Sequence, residues 1–149
     1  MQLKQIFEAE RVCLVGASDE PGSLGQVLGQ NLIDSSHEFQ LTLVSLDGRE
    51  EVFGKACKTE LGSGAGPFDL SLVAAPVAQL REAVDLALRA RVHHLAVLTS
   101  IDREAGTDVD ALRGDIEHMC REKRVRLLGP GSLGVADVPR GFNATYFHG

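Results

Sequence analysis

Short apolar runs alternate with amphipathic stretches from one end of the chain to the other, the pattern that βαβ units and a parallel sheet leave in a sequence. The apolar runs are Arg11 to Val15, Gln40 to Ser45, Asp69 to Ala75, His94 to Thr99 and Arg126 to Leu128, and they predict five core strands. In Leu70-Ser71-Leu72-Val73-Ala74-Ala75 and in Leu95-Ala96-Val97-Leu98 the hydrophobicity is continuous. Strands of that kind are covered on both faces, as central parallel strands are.

Helices fill the intervals. Gly25 to Ser35 places Val27, Leu28 and Leu32 on one side with Ile33 at the margin, and Val77 to Arg91 places Leu80, Val84, Ala87 and Leu88 on another. A third helix, about Asp108 to Lys123, carries Val109, Leu112, Ile116, Met119 and Cys120 as its stripe. Thr107 is expected as its N-cap, with Asp108 and Asp110 in the first turn where negative charge suits the helix dipole. Gly62-Ser63-Gly64-Ala65-Gly66-Pro67 breaks the pattern and predicts a mobile surface connection. The expected architecture is α/β, three-layered, with a mostly parallel sheet of about five core strands spanning residues 1–149 as one domain. Residues 1–10 are expected as an N-terminal extension or short helix.

Composition narrows the function classes. A chain of 149 residues fits a single domain of about 100–200 residues and buries enough surface to fold without disulfide or metal staples. Its 44% hydrophobic and 24% charged residues argue against a disordered or a membrane-embedded chain. Lys and Arg total 15 against 21 Asp and Glu, a formal charge of −6, which is the wrong sign for a nonspecific polyphosphate binder; nucleic acid is not an expected partner. Glu8 and Glu10 interrupt the N-terminus where a secretory signal needs an apolar run, and no stretch approaches about 18 apolar residues. The expectation is a cytoplasmic protein with no membrane partner. Cys13, Cys57 and Cys120 are odd in number and unpaired in sequence, which predicts reduced thiols rather than a disulfide framework or a zinc site.

Three glycine clusters compete as a phosphate cradle. Gly16-Ala17-Ser18-Asp19-Glu20-Pro21-Gly22-Ser23-Leu24-Gly25 leaves the first strand and opens a helix, so free backbone amides and the helix N-terminus converge there on an anion. Missing β-carbons at Gly16, Gly22 and Gly25 let a ligand approach the backbone, while Ser18 and Ser23 add hydroxyl donors. Gly129-Pro130-Gly131-Ser132-Leu133-Gly134 matches GxGxxG, yet the following Val135 to Gly141 holds breakers and no helical stripe, so it is not a dinucleotide fingerprint. It can still line a pocket, because the carboxyl ends of parallel strands face one crevice. Gly62 to Gly66 neither follows a strand nor opens a helix.

Taken in order, Val15-Gly16-Ala17-Ser18 with Pro21-Gly22-Ser23-Leu24-Gly25, Ala75-Pro76, Arg126 to Gly134, and Gly141-Phe142-Asn143-Ala144-Thr145-Tyr146-Phe147 resemble CoA-binding domains. The resemblance is to the N-terminal domain of NDP-forming acyl-CoA synthetases, the succinyl-CoA synthetase alpha subunit and Pat-type protein lysine acetyltransferases, and it covers the chain from about Arg11 onward. It implies a Rossmann-like domain that holds CoA or acetyl-CoA across the carboxyl edge of its sheet. Gly16, Ala17, Ser18, Gly22, Ser23 and Gly25 then form the phosphate-facing loop, Pro76 lies beside the nucleotide, Ser100 follows the fourth strand, and Gly129, Pro130, Gly131 and Ser132 flank the pantetheine end. Chemistry in such enzymes belongs to other domains, so the implied partners are a small-molecule CoA ester and a catalytic domain or subunit of the same enzyme.

Three departures from the family pattern stand out. Ser45-Leu46-Asp47-Gly48-Arg49 replaces a proline and a lysine after strand two, leaving Arg49 or Lys55 to supply positive charge. Ile101 stands in a turn that is normally small, followed by the matching Glu104 and Gly106, and Gly131 replaces an asparagine. Asp47 also leaves an NAD-type site open, since an acidic residue ending strand two commonly accepts from ribose hydroxyls. A regulatory or interaction domain with a decayed CoA site is the third reading. No catalytic or metal-ligating set emerges: His93 and His94 alternate on a strand with one ring packed and one in solvent, His118 and Cys120 cannot share a helix face, and His37 and His148 fall in loop or terminal segments. Glu8, Glu10, Asp19 and Glu20 read as a solvated acidic surface near the first loop.

Overall fold

The structure, a computed structural model, describes residues 4–101 and 108–147. After a short helix α1 (Lys4–Phe7) the chain forms β1 (Arg11–Val15), α2 (Leu24–Asp34), β2 (Gln40–Val44), a small hairpin of β3 (Glu51–Val52) and β4 (Lys55–Ala56), and β5 (Phe68–Val73). A 3-10 turn at Val77–Gln79 leads into α3 (Leu80–Arg89), then β6 (Val92–Val97), α4 (Val109–Glu122), β7 (Arg126–Leu128) and a closing hairpin of β8 (Gly134–Asp137) and β9 (Phe142–Thr145). The five predicted strands are β1, β2, β5, β6 and β7, and they pair in parallel in the order β2-β1-β5-β6-β7.

Alternate residues of the sheet feed two cores. Cys13, Val15, Val73, Leu95 and Val97 face α3 and α4, packing on Leu80, Val84, Leu112, Ile116 and Cys120. Val12, Leu14, Leu70, Leu72 and Ala96 face the other way, toward Leu28 and Leu32 of α2 and toward Val135, Phe142 and Ala144 of the β8–β9 hairpin. The third layer is therefore helical only in part; an antiparallel hairpin finishes it, its buried Val135, Phe142 and Ala144 alternating with more exposed neighbours. The expected helical stripes are buried or part-buried in place, including Met119 and Val109 at the edge of the first core.

Local differences have local causes. Asp108, rather than Thr107, caps α4, its carboxylate accepting the Ala111 amide at 3.0 Å, while Thr107 lies outside the described residues. The glycine-rich connection is tied down at the amino edge of the sheet. The Arg11 guanidinium donates to the Ala65 carbonyl, and a β-carbon on Gly66 would stand 2.5 Å from the Arg91 carbonyl oxygen. Glu8 and Glu10 sit at that same edge, with Glu8 paired to Arg140 at 2.6 Å, so of the four acids only Asp19 and Glu20 belong to the first loop.

Candidate functional site

In the order β2-β1-β5 the chain leaves β1 toward one side of the sheet and β5 toward the other, and ligands of doubly wound folds bind at the carboxyl ends of such a switch point. A cavity of about 610 Å³ opens there. Its walls are Gly16, Ala17 and Ser18 after β1, Ser23, Leu24 and Gly25 at the start of α2, and Leu46 and Asp47 after β2. Ala74 to Gln79 after β5 and Thr99 and Ser100 after β6 close it.

Close backbone packing builds this end of the sheet. Gly16 has φ +99° and its amide donates to the Val44 carbonyl at 2.9 Å, as the Ala17 amide does at 3.0 Å. A β-carbon on Gly25 would lie 2.0 Å from the Gly16 oxygen and 3.3 Å from the Ser18 nitrogen, so only glycine lets the first turn of α2 close on the end of β1. Ser23 caps that turn, its hydroxyl oxygen accepting the Gln26 amide at 3.1 Å. Among the described residues the amides of Ser18, Leu24 and Gly25 donate to no protein acceptor. They are the orphan donors of a helix start and its preceding loop, the kind of group that takes an anion. Thr99, buried, donates to the Ala75 carbonyl at 2.7 Å and accepts the Ala75 amide at 3.1 Å, locking the β5 and β6 ends together.

Other expected site residues lie beside the cavity. Gly129 to Ser132 fold onto the end of β6, with the Gly131 amide donating to the Thr99 carbonyl at 3.0 Å and the Ser132 amide to the Val97 carbonyl at 3.1 Å. A β-carbon on Gly131 would stand 3.7 Å from Ser100 Oγ, so this loop borders the cavity at its Ser100 side without forming the wall. Gly22 is exposed, outside the wall, with φ +79° and open space around its missing β-carbon. Lys55 is exposed on the β3–β4 hairpin, also outside the wall. Glu104, Gly106 and His148 lie outside the described residues.

The electrostatics differ from a simple phosphate cradle. Among the described residues of the wall, Glu20 and Asp47 are acidic and none is basic. Arg49 stands outside the wall, its Nη1 donating to Asp19 at 2.5 Å and its Nε lying 3.2 Å from Asp47. The Ser45 hydroxyl donates to Asp47, and together with the Arg49 amide and guanidinium it holds the Asp47 carboxyl below the usual carboxylate range. The wall positions Ala74 and Gln79 carry no signal in the sequence, since an alanine at the end of an apolar run looks like core.

Among the described residues no second chemical centre appears. His93 is exposed while His94 is fully buried, with Nδ1 3.3 Å from the Asp69 carbonyl oxygen and Nε2 without a partner. His37 stacks on Phe39, and His118 pairs with Glu122 on the exposed face of α4. Burial pushes the Cys13 thiol up to about 12 and the Cys120 thiol to about 11, so both are inert at neutral pH. No helix among the described residues is long and apolar enough to cross a membrane.

The family model described as a CoA binding domain matches residues 10–137. The chain is 26% identical over 149 residues to the acetate–CoA ligase [ADP-forming] I subunit alpha of Pyrococcus furiosus, covering 98% of this chain and 32% of that one. It is 24% identical over 145 residues to the acetate–CoA ligase [ADP-forming] I of Archaeoglobus fulgidus, covering 97% of this chain and 21% of that protein. A crystal structure from Pyrococcus horikoshii OT3 superposes with TM-score 0.86 at 20% identity, over 99% of this chain and 33% of that one. The Ca. Korarchaeum cryptofilum dinucleotide forming acetyl-coenzyme A synthetase 1 in complex with phosphate and ADP superposes with TM-score 0.82 at 23% identity, over 97% of this chain and 31% of that chain. The chain thus spans a third or less of each of these relatives. With a parallel sheet whose switch point opens on unclaimed amides, and a family match across most of its length, the chain belongs to the CoA-binding domain family.

Proposed function

We propose that this chain binds CoA or an acyl-CoA noncovalently at the carboxyl edge of its sheet and supplies no reacting group of its own. The observation that carries this reading is the set of open amides of Ser18, Leu24 and Gly25 at the mouth of a 610 Å³ cavity. On this reading the loop from Gly16 to Gly25 takes the diphosphate, with Ser18 and Ser23 adding hydroxyl contacts. Pro76 packs beside the nucleotide, and Asp47 accepts from a ribose hydroxyl as acidic residues at the end of a second strand do. Arg49 meets the ribose phosphate with its planar fork. Ser100 and the loop of Gly129, Pro130, Gly131 and Ser132 border the pantetheine arm.

Among the described residues the cavity wall holds no histidine, cysteine or lysine, and on this reading acyl activation draws on groups from another domain or subunit. The larger size of the ADP-forming acetate–CoA ligases that this chain resembles supports a place as the CoA-holding part of an acyl-CoA synthetase-like protein. Calorimetric titration with CoA, acetyl-CoA, dephospho-CoA and NAD tests it. Saturable heat from CoA and acetyl-CoA supports the reading; heat from NAD alone replaces it with a dinucleotide site read by Asp47.

A further inference from the structure

We infer that Asp19 is an internal competitor for the ligand's ribose phosphate: it occupies the Arg49 guanidinium in the free protein and gives it up when CoA binds. The inference rests on the reading of the cavity as a CoA site and adds a determinant of affinity to it. Among the described residues, Arg49 is the basic side chain that pairs with a residue of the cavity wall, through Asp47. Doubly wound folds use this position, just after the second strand, to meet the adenosine ribose, and an arginine there accommodates a ribose phosphate.

The two carboxylates that bracket Arg49 are not held alike. Asp47 accepts from the Ser45 hydroxyl, and Ser45 is itself 1% exposed; the Arg49 amide also donates to Asp47. Asp47 is anchored by the chain around it. The Asp19 carboxylate has Arg49 as its hydrogen-bond partner and no other among the described residues. Side chains of Arg49, Asp19 and Asp47 are 50%, 44% and 60% exposed, so the Asp19 pair is solvated and cheap to break. A phosphate carries more charge than a carboxylate and engages the guanidinium through two parallel bonds, so it displaces the loosely held partner and leaves the anchored one. Asp19 also ties the first loop to the end of β2, so the exchange frees that loop as it seats the ligand.

The test is a titration of CoA and dephospho-CoA into the wild-type chain, Asp19→Asn, Arg49→Gln, the double variant and Glu20→Gln. Glu20 lines the cavity and serves as the control for a general change of charge. Asp19→Asn is expected to tighten CoA about two- to fivefold, the span of an exposed ion pair, and to leave dephospho-CoA unchanged. In the Arg49→Gln background the same substitution is expected to do nothing, and Glu20→Gln to shift both ligands alike. Equal tightening of both ligands by Asp19→Asn, an unchanged CoA affinity, or a gain that persists without Arg49 overturns the competitor role while leaving CoA binding standing. No heat from CoA with the wild-type chain overturns the site reading and this inference together.

Discussion

A β-carbon placed on Gly16 would stand 2.1 Å from the carbonyl oxygen of Ala74, so the ends of β1 and β5 touch backbone to backbone at the switch point. That contact sets the floor of the cavity. It also positions the Gly16 carbonyl under Gly25, so strand end and helix start form one rigid corner, and the amides of Ser18, Leu24 and Gly25 there have no protein acceptor among the described residues.

Gly16→Ala combines a backbone at φ +99° with a clash against main chain that cannot move aside. Strain and overpacking together are expected to cost about 3 kcal/mol. Urea unfolding measures it, and a loss under about 1 kcal/mol would mean the corner yields.

Gly25 and Gly22 are expected to part company. Gly25→Ala drives a methyl into the Gly16 carbonyl and the Ser18 amide, and CoA binding is expected to disappear. Gly22→Val meets open space, so the fold persists with about 1–3 kcal/mol of backbone strain at φ +79°. Circular dichroism and CoA titration of both variants check this. Retention of CoA affinity in folded Gly25→Ala moves the phosphates out of the first loop.

Arg49→Ala is expected to weaken CoA about five- to tenfold and dephospho-CoA by less than twofold, the loss of one solvated charge-assisted contact. Equal weakening of both ligands removes Arg49 from the ribose phosphate.

His94 makes the stability pH-dependent. Burial holds its ring below the ordinary value of 6.5, with Arg126 and His93 adding repulsion and the Asp69 carbonyl opposing them. The folded ring stays neutral while the unfolded chain gains a proton below about 6.5, so stability is full above that pH and falls beneath it, by at most about 1.4 kcal/mol per pH unit. Glu8, paired chiefly with Arg140, and Asp47, held chiefly by Ser45, have lowered carboxyls, so their contributions are present above the ordinary carboxylate range and are lost in more acid solution. Melting curves of wild type and His94→Leu from pH 7.5 to 5 are expected to diverge below 6.5, the variant losing less; parallel curves would place the acid sensitivity elsewhere.

The sheet was legible because five short apolar runs, two of them continuously hydrophobic, alternate with amphipathic stretches, and the three main helices because Leu80, Val84 and Leu88, or Leu112 and Ile116, recur at helical spacing. The two hairpins were not. β3 and β4 are two residues each, and the signal of β8 and β9 is a bare alternation around Pro139 and Gly141. In the site, the first loop showed itself through glycines whose absent side chains are required by main chain on the other side, as at Gly16 and Gly25. Arg49 was visible as a charge but its partner was not, because the pair with Asp19 joins residues 30 apart through a fold that brings two strand ends together. Asp19 accordingly looked like solvated surface.

Calorimetric titration of CoA into the wild-type chain and into folded Gly25→Ala, with NAD run in parallel, bears most directly on the central claim. The account predicts saturable one-to-one binding of CoA by the wild type, none by Gly25→Ala and none of NAD by either. CoA heat that survives in Gly25→Ala, or that is absent from the wild type, contradicts it.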